Sequence, residues 1–350
     1  MSQFHSLKIQ HLDKITDRSI KISFEIPAQL KKDYVFKAGQ YITIKIPLNG
    51  EELRRDYSIC SATNSSQLEV AVKEVENGVF SSYANNQLKE GDHLEVSVPH
   101  GRFILETNPS NQRTVVAFAA GSGITPVMSI IKTLLTEERH SKIILMYGNK
   151  KVKDVMFLND LLTLQFYYPE RFRLHFVYSQ AEEENALFGH IEKSTVNYII
   201  KNKYKDDAFD SFYICGPTGM ITTVKEALFE QGIAENKVHF ELFTVPVSAE
   251  TKTIAAEGEA QVTVILDEEE ITFSMSQKQT ILEAAIKNNV DAPYSCQGGV
   301  CASCLGRLKE GTASMRVNNV LTDGELKDGL ILTCQAQPTS AKVVVDYDDV

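Results

Sequence analysis

Nothing in this chain of 350 residues is apolar for long. The longest uncharged run, VVAFAAGSGITPVMSII, is broken by glycines and a proline, and predicts a buried strand, a turn and a helix start, not a membrane span. The opening residues, MSQFHSLKIQHLDK, have no apolar core flanked by basic residues, so a secretory leader is not expected. A basic stripe is also missing; the net charge is −10, which disfavours a nucleic-acid partner. No internal repeat and no low-complexity tract is found. What remains is ordinary for a soluble globular protein, with 43% hydrophobic and 23% charged residues. At roughly 100–200 residues per domain, two or three domains are expected.

Cysteine is scarce as well, six in all, but four of them follow a pattern. Cys296, Cys301 and Cys304 stand as C-x4-C-x2-C within PYSCQGGVCASC, and Cys334 follows after 29 intervening residues in LTC. This is the spacing of four thiolates around a plant-type [2Fe–2S] cluster, and thiolate is the ligand that a soft iron–sulfide core prefers. Gly298 and Gly299 in the longer gap let backbone wrap closely and leave amide N–H groups for the sulfurs. A structural zinc site and a disulfide pair are the alternatives; zinc ribbons use C-x2-C pairs, whereas here the tight pair is joined by an x4 partner. Such a cluster passes single electrons. The two remaining cysteines, Cys60 and Cys215, beside a cluster of reduced thiolates, point to the cytoplasm, where thiols stay reduced.

Patterning divides the rest. Residues 1–108 carry short alternating stretches, such as YITIKI, LEVAVKEV and HLEVSVP, separated by turn signals, as in a barrel or sandwich. Residues 109–243 alternate buried strand and helix, which predicts a parallel sheet with helices on both faces. Residues 244–258 are small and polar without periodicity, and read as a linker. In 259–350, QVTVIL and ITFSM form a hairpin pattern. Thr280 and Glu283 then stand at capping-box spacing before a helical run, and VVVDYDD closes the chain. From Glu259 onward there are 14 acidic against 7 basic side chains, so this segment carries −7. That charge suggests a partner with a basic docking patch, or simply a solvated face.

Four motifs precede the cysteines in order. Arg55-Asp56-Tyr57-Ser58 ends an alternating strand, and Gly78-Val79-Phe80-Ser81-Ser82 follows the next. Pro99-His100-Gly101-Arg102-Phe103 forms a turn between them and Gly121-Ser122-Gly123-Ile124-Thr125-Pro126, which joins a strand to a helix. Cys215-Gly216-Pro217-Thr218-Gly219-Met220 lies at a later strand end. Taken singly each is weak: a strand-end Arg–Tyr pair is commonly surface packing, a lone cysteine commonly packs, and the glycine turn is not the full G-x-G-x-x-G fingerprint.

Taken together they resemble the ferredoxin–NADP reductase superfamily, and with the cysteines an oxygenase reductase component with a C-terminal plant-type ferredoxin domain. The phrases YSCQGGVCASC, LTCQAQPTS and KVVVDYDD are most similar to reductases of phenylacetyl-CoA epoxidase complexes. The resemblance implies three domains: an antiparallel β-barrel for flavin, an α/β parallel-sheet domain for NADPH or NADH, and a β-grasp [2Fe–2S] domain. It implies flavin contacts from Arg55, Tyr57, Ser58, Gly78, Ser81 and Ser82, with Ser81 and Ser82 opening a short phosphate-binding helix. The absence of G-x-G-G-S at that second motif points to FAD. Nucleotide contacts would come from Gly121, Gly123, Thr125, Pro126, Cys215, Gly216 and Pro217. Ser58 and Cys215 would stand at the reacting rings. Glu241 and Phe243 in HFELF resemble a terminal acid-x-aromatic beside the flavin, or are an ordinary strand end. Electrons would pass from NAD(P)H through FAD and the cluster to a diiron or Rieske oxygenase. The alternatives are a carnitine-type monooxygenase, a desaturase or a hybrid-cluster protein as acceptor, and, more remotely, a zinc- and nucleotide-binding sensor without redox activity. Gln180 stands where relatives preferring NADPH often place arginine, with Lys150 and Lys151 as other cations, so the donor stays open.

Overall fold

Alternating apolar residues set the first sheet. The computed structural model describes residues 3–48, 50–243 and 258–350, and the expected linker falls almost entirely outside them. Strands β1 (Phe4–Thr16), β2 (Ser19–Glu25), β3 (Tyr41–Leu48), β4 (Glu51–Ser58), β5 (Leu68–Lys73) and β6 (His93–Ser97) pair in the order β4-β3-β6-β1-β2-β5. The pairs β1–β2, β1–β6, β2–β5 and β3–β6 are antiparallel, and an Ile59–Val70 bridge brings the residue after β4 back beside β5, closing the sheet on itself. Residues two apart, such as Leu7 and Ile9, Ile22 and Phe24, Ile42 and Ile44, and Leu94 and Val96, are buried together inside it. Helix α1 (Val79–Asn86) follows β5.

A second sheet is built from the near-continuous apolar strands. It contains β7 (Thr114–Ala120), β8 (Lys142–Asn149), β9 (Phe172–Tyr178), β10 (Leu187–Phe188), β11 (Ser211–Cys215) and β12 (Val238–Glu241), all parallel, in the order β10-β9-β8-β7-β11-β12. The connecting helices are α2 (Ile124–Glu137), α3 (Leu158–Tyr167), α4 (Lys193–Asn197, continued by a π-helical turn to Lys203) and α5 (Thr218–Phe229). Phe103 and Leu105 join the same core as Val127 and Ile131. Tyr213 Oη also donates to the Ile104 carbonyl at 3.0 Å. The two sheets therefore share one compact unit, comprising Phe4–Leu53 and Tyr57–Phe243.

The smaller unit is built on the C-terminal segment. A hairpin of β13 (Glu259–Leu266) and β14 (Glu269–Ser276) leads into α6 (Ile281–Lys287). The expected capping box is formed: Thr280 Oγ1 accepts from the Glu283 amide at 3.3 Å, and Glu283 Oε2 accepts from the Thr280 amide at 3.0 Å. After the cysteine loop come β15 (Leu305–Glu310), β16 (Ala313–Met315), α7 (Asp323–Lys327), β17 (Leu330–Leu332), β18 (Ala336–Pro338) and β19 (Lys342–Asp346). The main sheet runs β14-β13-β19-β15-β17, with β13 and β19 parallel. Ile281, Leu282, Ala284 and Ala285 of α6 pack into its core, the helix-on-sheet arrangement of a β-grasp. Among the described residues no helix is long and apolar enough to cross a membrane.

Candidate active site and cysteine loop

Strand order in the parallel sheet reverses between β7 and β11, which lie side by side with Ala119 opposite Cys215. Dinucleotides bind outside the carboxyl ends of strands at such reversals. Here that edge is lined by the Gly121–Gly123 turn and by Cys215-Gly216-Pro217. The two loops touch closely enough to dictate glycine: a Cβ on Gly123 would lie 2.1 Å from the Cys215 carbonyl oxygen. One on Gly216 would lie 3.1 Å from the Ala120 amide nitrogen. Thr125 Oγ1 donates to the Ser122 carbonyl at 3.0 Å, fixing the turn, and Pro126 sits in the first turn of α2, where no amide is needed. Both α2 and α5 start at this edge, and their first-turn N–H groups suit a pyrophosphate.

Tyr57 and Ser58 end β4, and the Tyr57 ring packs on Phe80 of α1 with centroids 5.4 Å apart. The first two motifs thus meet, strand against helix. Arg55, on the same strand, is exposed and donates to the Arg54 carbonyl at 2.7 Å. The serines of α1 depart from expectation. Gly78 is the N-cap and Val79 opens the helix, so Ser81 and Ser82 lie inside the first turns. Ser81 Oγ accepts from the Val75 amide and donates to the Gly78 carbonyl, each at 3.2 Å, while Ser82 Oγ donates to Glu74 at 3.1 Å. These hydroxyls brace the turn, and the first backbone amides of α1 have no partner within the helix.

Ser58, Cys215 and Glu241 come together although they are far apart in the chain. Ser58 is buried and its Oγ donates to Glu241 Oε2 at 3.2 Å. Glu241 is the register partner of Cys215 across β11 and β12. Burial, and then the Glu241 carboxylate, push the Cys215 thiol well above its ordinary pKa, so it stays neutral. Phe243, two residues on, is 40% exposed.

Sequence reading missed Lys73 at the end of β5. Its Nζ lies 3.7 Å from where a Gly121 Cβ would stand, beside the dinucleotide turn. Burial lowers its pKa; Asp154 opposes that shift, while Lys150 and Arg18 add to it. A single lysine in an alternating strand has no signature, and only folding brings it to a turn nearly fifty residues away. Gln180 and Lys150 are neighbours, the Gln180 amide donating to the Lys150 carbonyl at 2.9 Å, and both side chains are exposed, as is that of Lys151.

The four remaining sulfurs pair two by two. The Cys301 thiol hydrogen-bonds Cys296, lowering the pKa of Cys296 and raising its own; Cys304 and Cys334 form the second pair, with Cys334 lowered and Cys304 raised. Backbone amides point at the sulfurs, Gly298 N at 3.3 Å from Cys296 Sγ and Ser303 N at 3.5 Å from Cys301 Sγ. Four cysteines at this spacing, brought into one loop system, suit the thiolate set of a [2Fe–2S] cluster.

Comparison with known proteins identifies the domains. Family models match at residues 6–104 (oxidoreductase FAD-binding domain), 118–226 (oxidoreductase NAD-binding domain) and 264–339 (2Fe-2S iron-sulfur cluster binding domain). The chain is 36% identical over 352 residues to a subunit of the 1,2-phenylacetyl-CoA epoxidase of Escherichia coli K12, covering 99% of both chains. It is 31% identical to the ferredoxin reductase component of 3-ketosteroid-9-alpha-monooxygenase from Rhodococcus rhodochrous, covering 93% of this chain and 92% of the relative. Among solved structures it resembles phthalate dioxygenase reductase, with a TM-score of 0.62, 26% identity and 98% coverage of each chain.

Proposed function

This chain belongs to the oxygenase reductase components that carry FAD-binding, NAD-binding and 2Fe-2S domains in that order, and from that premise we propose that its acceptor is the oxygenase of a phenylacetyl-CoA epoxidase complex. The observation that carries the acceptor is full-length similarity, 36% over 99% of both chains, to one component of such a complex. When bound, FAD takes electrons two at a time from a nicotinamide and the cluster carries them singly, so the enzyme matches a hydride donor to a one-electron acceptor.

The residues divide that work. Tyr57 offers a flat face to the flavin ring, and Arg55 with the first amides of α1 holds the phosphates. The turns around Gly121, Gly123, Gly216 and Pro217 seat the dinucleotide, with Thr125 and Pro126 shaping the first of them and Lys73 supplying a cation. Neutral Cys215 packs against the nicotinamide without competing as a nucleophile. Glu241 holds the Ser58 hydroxyl and can take or return a proton at Oγ. Cys296, Cys301, Cys304 and Cys334 ligate the cluster. The acidic C-terminal domain, in which Asp348 draws the 267–268 turn to the chain end through the Asp267 and Glu268 amides, steers a partner bearing a basic patch. A CoA thioester as the oxygenase's substrate accords with a protein of the cytoplasm.

Reconstitution tests the acceptor. Purified reductase, NADPH and the oxygenase subunits of a phenylacetyl-CoA epoxidase should form epoxide from phenylacetyl-CoA. Turnover only with another oxygenase, such as the 3-ketosteroid monooxygenase whose reductase the chain also resembles, would replace this acceptor.

A further inference from the structure

Backbone amides can meet cysteine sulfurs in any loop of this shape, but Gln335 brings a side chain. It follows Cys334, is 8% exposed, and is fixed by two backbone bonds, its amide to the Leu332 carbonyl at 2.8 Å and its carbonyl from the Arg316 amide at 3.0 Å. Its methylene packs against Gly299, so the side chain has little room to turn. The terminal Nε2 then donates twice: to the Gln297 carbonyl at 2.9 Å and towards Cys334 Sγ at 3.7 Å, a long contact suited to a sulfur acceptor. Gln297 follows Cys296 and has a left-handed backbone, φ 51°, which turns its carbonyl out of a regular strand path. One amide group therefore ties the backbone after Cys296 to the sulfur of Cys334.

We propose that Gln335 sets the reduction potential of the cluster by hydrogen-bonding the Cys334 sulfur while being held on target by Gln297. This rests on the cluster assignment above. An N–H donor stabilises the more negative, reduced state more than the oxidised one, so it raises the potential. A purely structural Gln335 would merely tie the 296–301 loop to the chain after Cys334 and would leave the sulfur's electronics alone.

Redox titration of the intact, cluster-loaded protein, followed by electron paramagnetic resonance, separates these roles. Gln335→Leu should make reduction about tenfold less favourable, about 59 mV more negative for a one-electron couple. Gln335→Glu, which keeps the shape but removes the donor and adds charge, should fall further. An unchanged potential in a fully loaded Gln335→Leu protein would overturn the proposal. A third measurement needs no variant and stands even if both substitutions lose iron. In unaltered protein labelled with 15N at glutamine side-chain amides, the reduced cluster should show hyperfine coupling to that nitrogen and to a proton that exchanges in D2O. Absence of both couplings would overturn the assignment. Iron and sulfide content of each sample shows separately whether the cluster reading itself holds.

Discussion

The proposed dinucleotide edge and the cysteine loop offer opposite materials to the groups they would hold. At the edge, the work is done by backbone: two glycine turns in contact and two helix starts, with Gly123 against the Cys215 carbonyl at a distance that admits no side chain. In the loop, side-chain sulfur does it, with backbone amides and one glutamine in support. The first site should tolerate deletions and fail on additions; the second should fail on deletion. That asymmetry follows from what each ligand offers. A pyrophosphate spreads its charge over many oxygens and can be met by many weak donors, whereas each iron needs a few strong covalent ligands.

The largest expected effect lies in the loop. Cys301→Ser should remove most iron and sulfide, because one of the paired thiols is lost, yet leave NAD(P)H-dependent reduction of ferricyanide by the flavin intact. Iron content per chain equal to that of the parent would disprove the ligand assignment. At the edge the matching experiment adds one carbon. Gly123→Ala would place that carbon 2.1 Å from the Cys215 oxygen, so the two turns must separate. Overpacking of about 3 kcal/mol, the upper part of the usual range, corresponds to roughly a hundred-fold weaker nucleotide binding. Cluster content should not change. Normal nucleotide affinity in this variant would break the comparison outright.

Much of the architecture is legible in the sequence because it is local. The capping box at Thr280 and Glu283, the hairpin of β13 and β14 before it, and the apolar strands of the parallel sheet all depend on residues a few positions apart. The meeting of Ser58 with Glu241 spans 183 positions, and only the family resemblance suggests that they meet. Lys73 carries no signal at all. The helix expected to open at Ser81 and Ser82 opens instead at Val79, with Gly78 as its N-cap, and Ser81 folds back onto the preceding turn. Helix α4 and its π-helical continuation are also hard to read; in the run KSTVNYIIKNK the apolar stripe is only Val196, Ile199 and Ile200, all β-branched.

A deletion at the flavin site gives a smaller, intermediate effect. On the proposed reading, Arg55→Ala removes one charge-assisted contact to the flavin phosphates. FAD should bind about 1.5–3 kcal/mol less tightly, roughly ten- to a hundred-fold. Equilibrium dialysis of FAD against the apoprotein would measure it, and an unchanged affinity would remove Arg55 from the phosphate site.

The smallest effect concerns the donor and sharpens the comparison most. If the edge is chiefly backbone, it recognises the pyrophosphate common to NADH and NADPH, and discrimination must come from side chains at its rim. Gln180 and Lys150 occupy that rim as backbone-bonded neighbours with exposed side chains. Glutamine cannot pair with a 2′-phosphate as a guanidinium does, and Lys150 supplies a point charge without a bidentate fork. The chain should therefore use both donors, with less than about a hundred-fold preference in kcat/KM, since a charged hydrogen bond contributes roughly 1.5–3 kcal/mol. Gln180→Arg should shift that preference towards NADPH by about ten-fold or more and leave NADH almost unaffected. Stopped-flow flavin reduction with each nucleotide would show it. If the parent already preferred NADPH by about a thousand-fold, more than one such contact supplies, and Gln180→Arg changed nothing, then a cation other than the Gln180–Lys150 rim reads the 2′-phosphate. Lys73, beside the Gly121 turn, would be the first residue to replace.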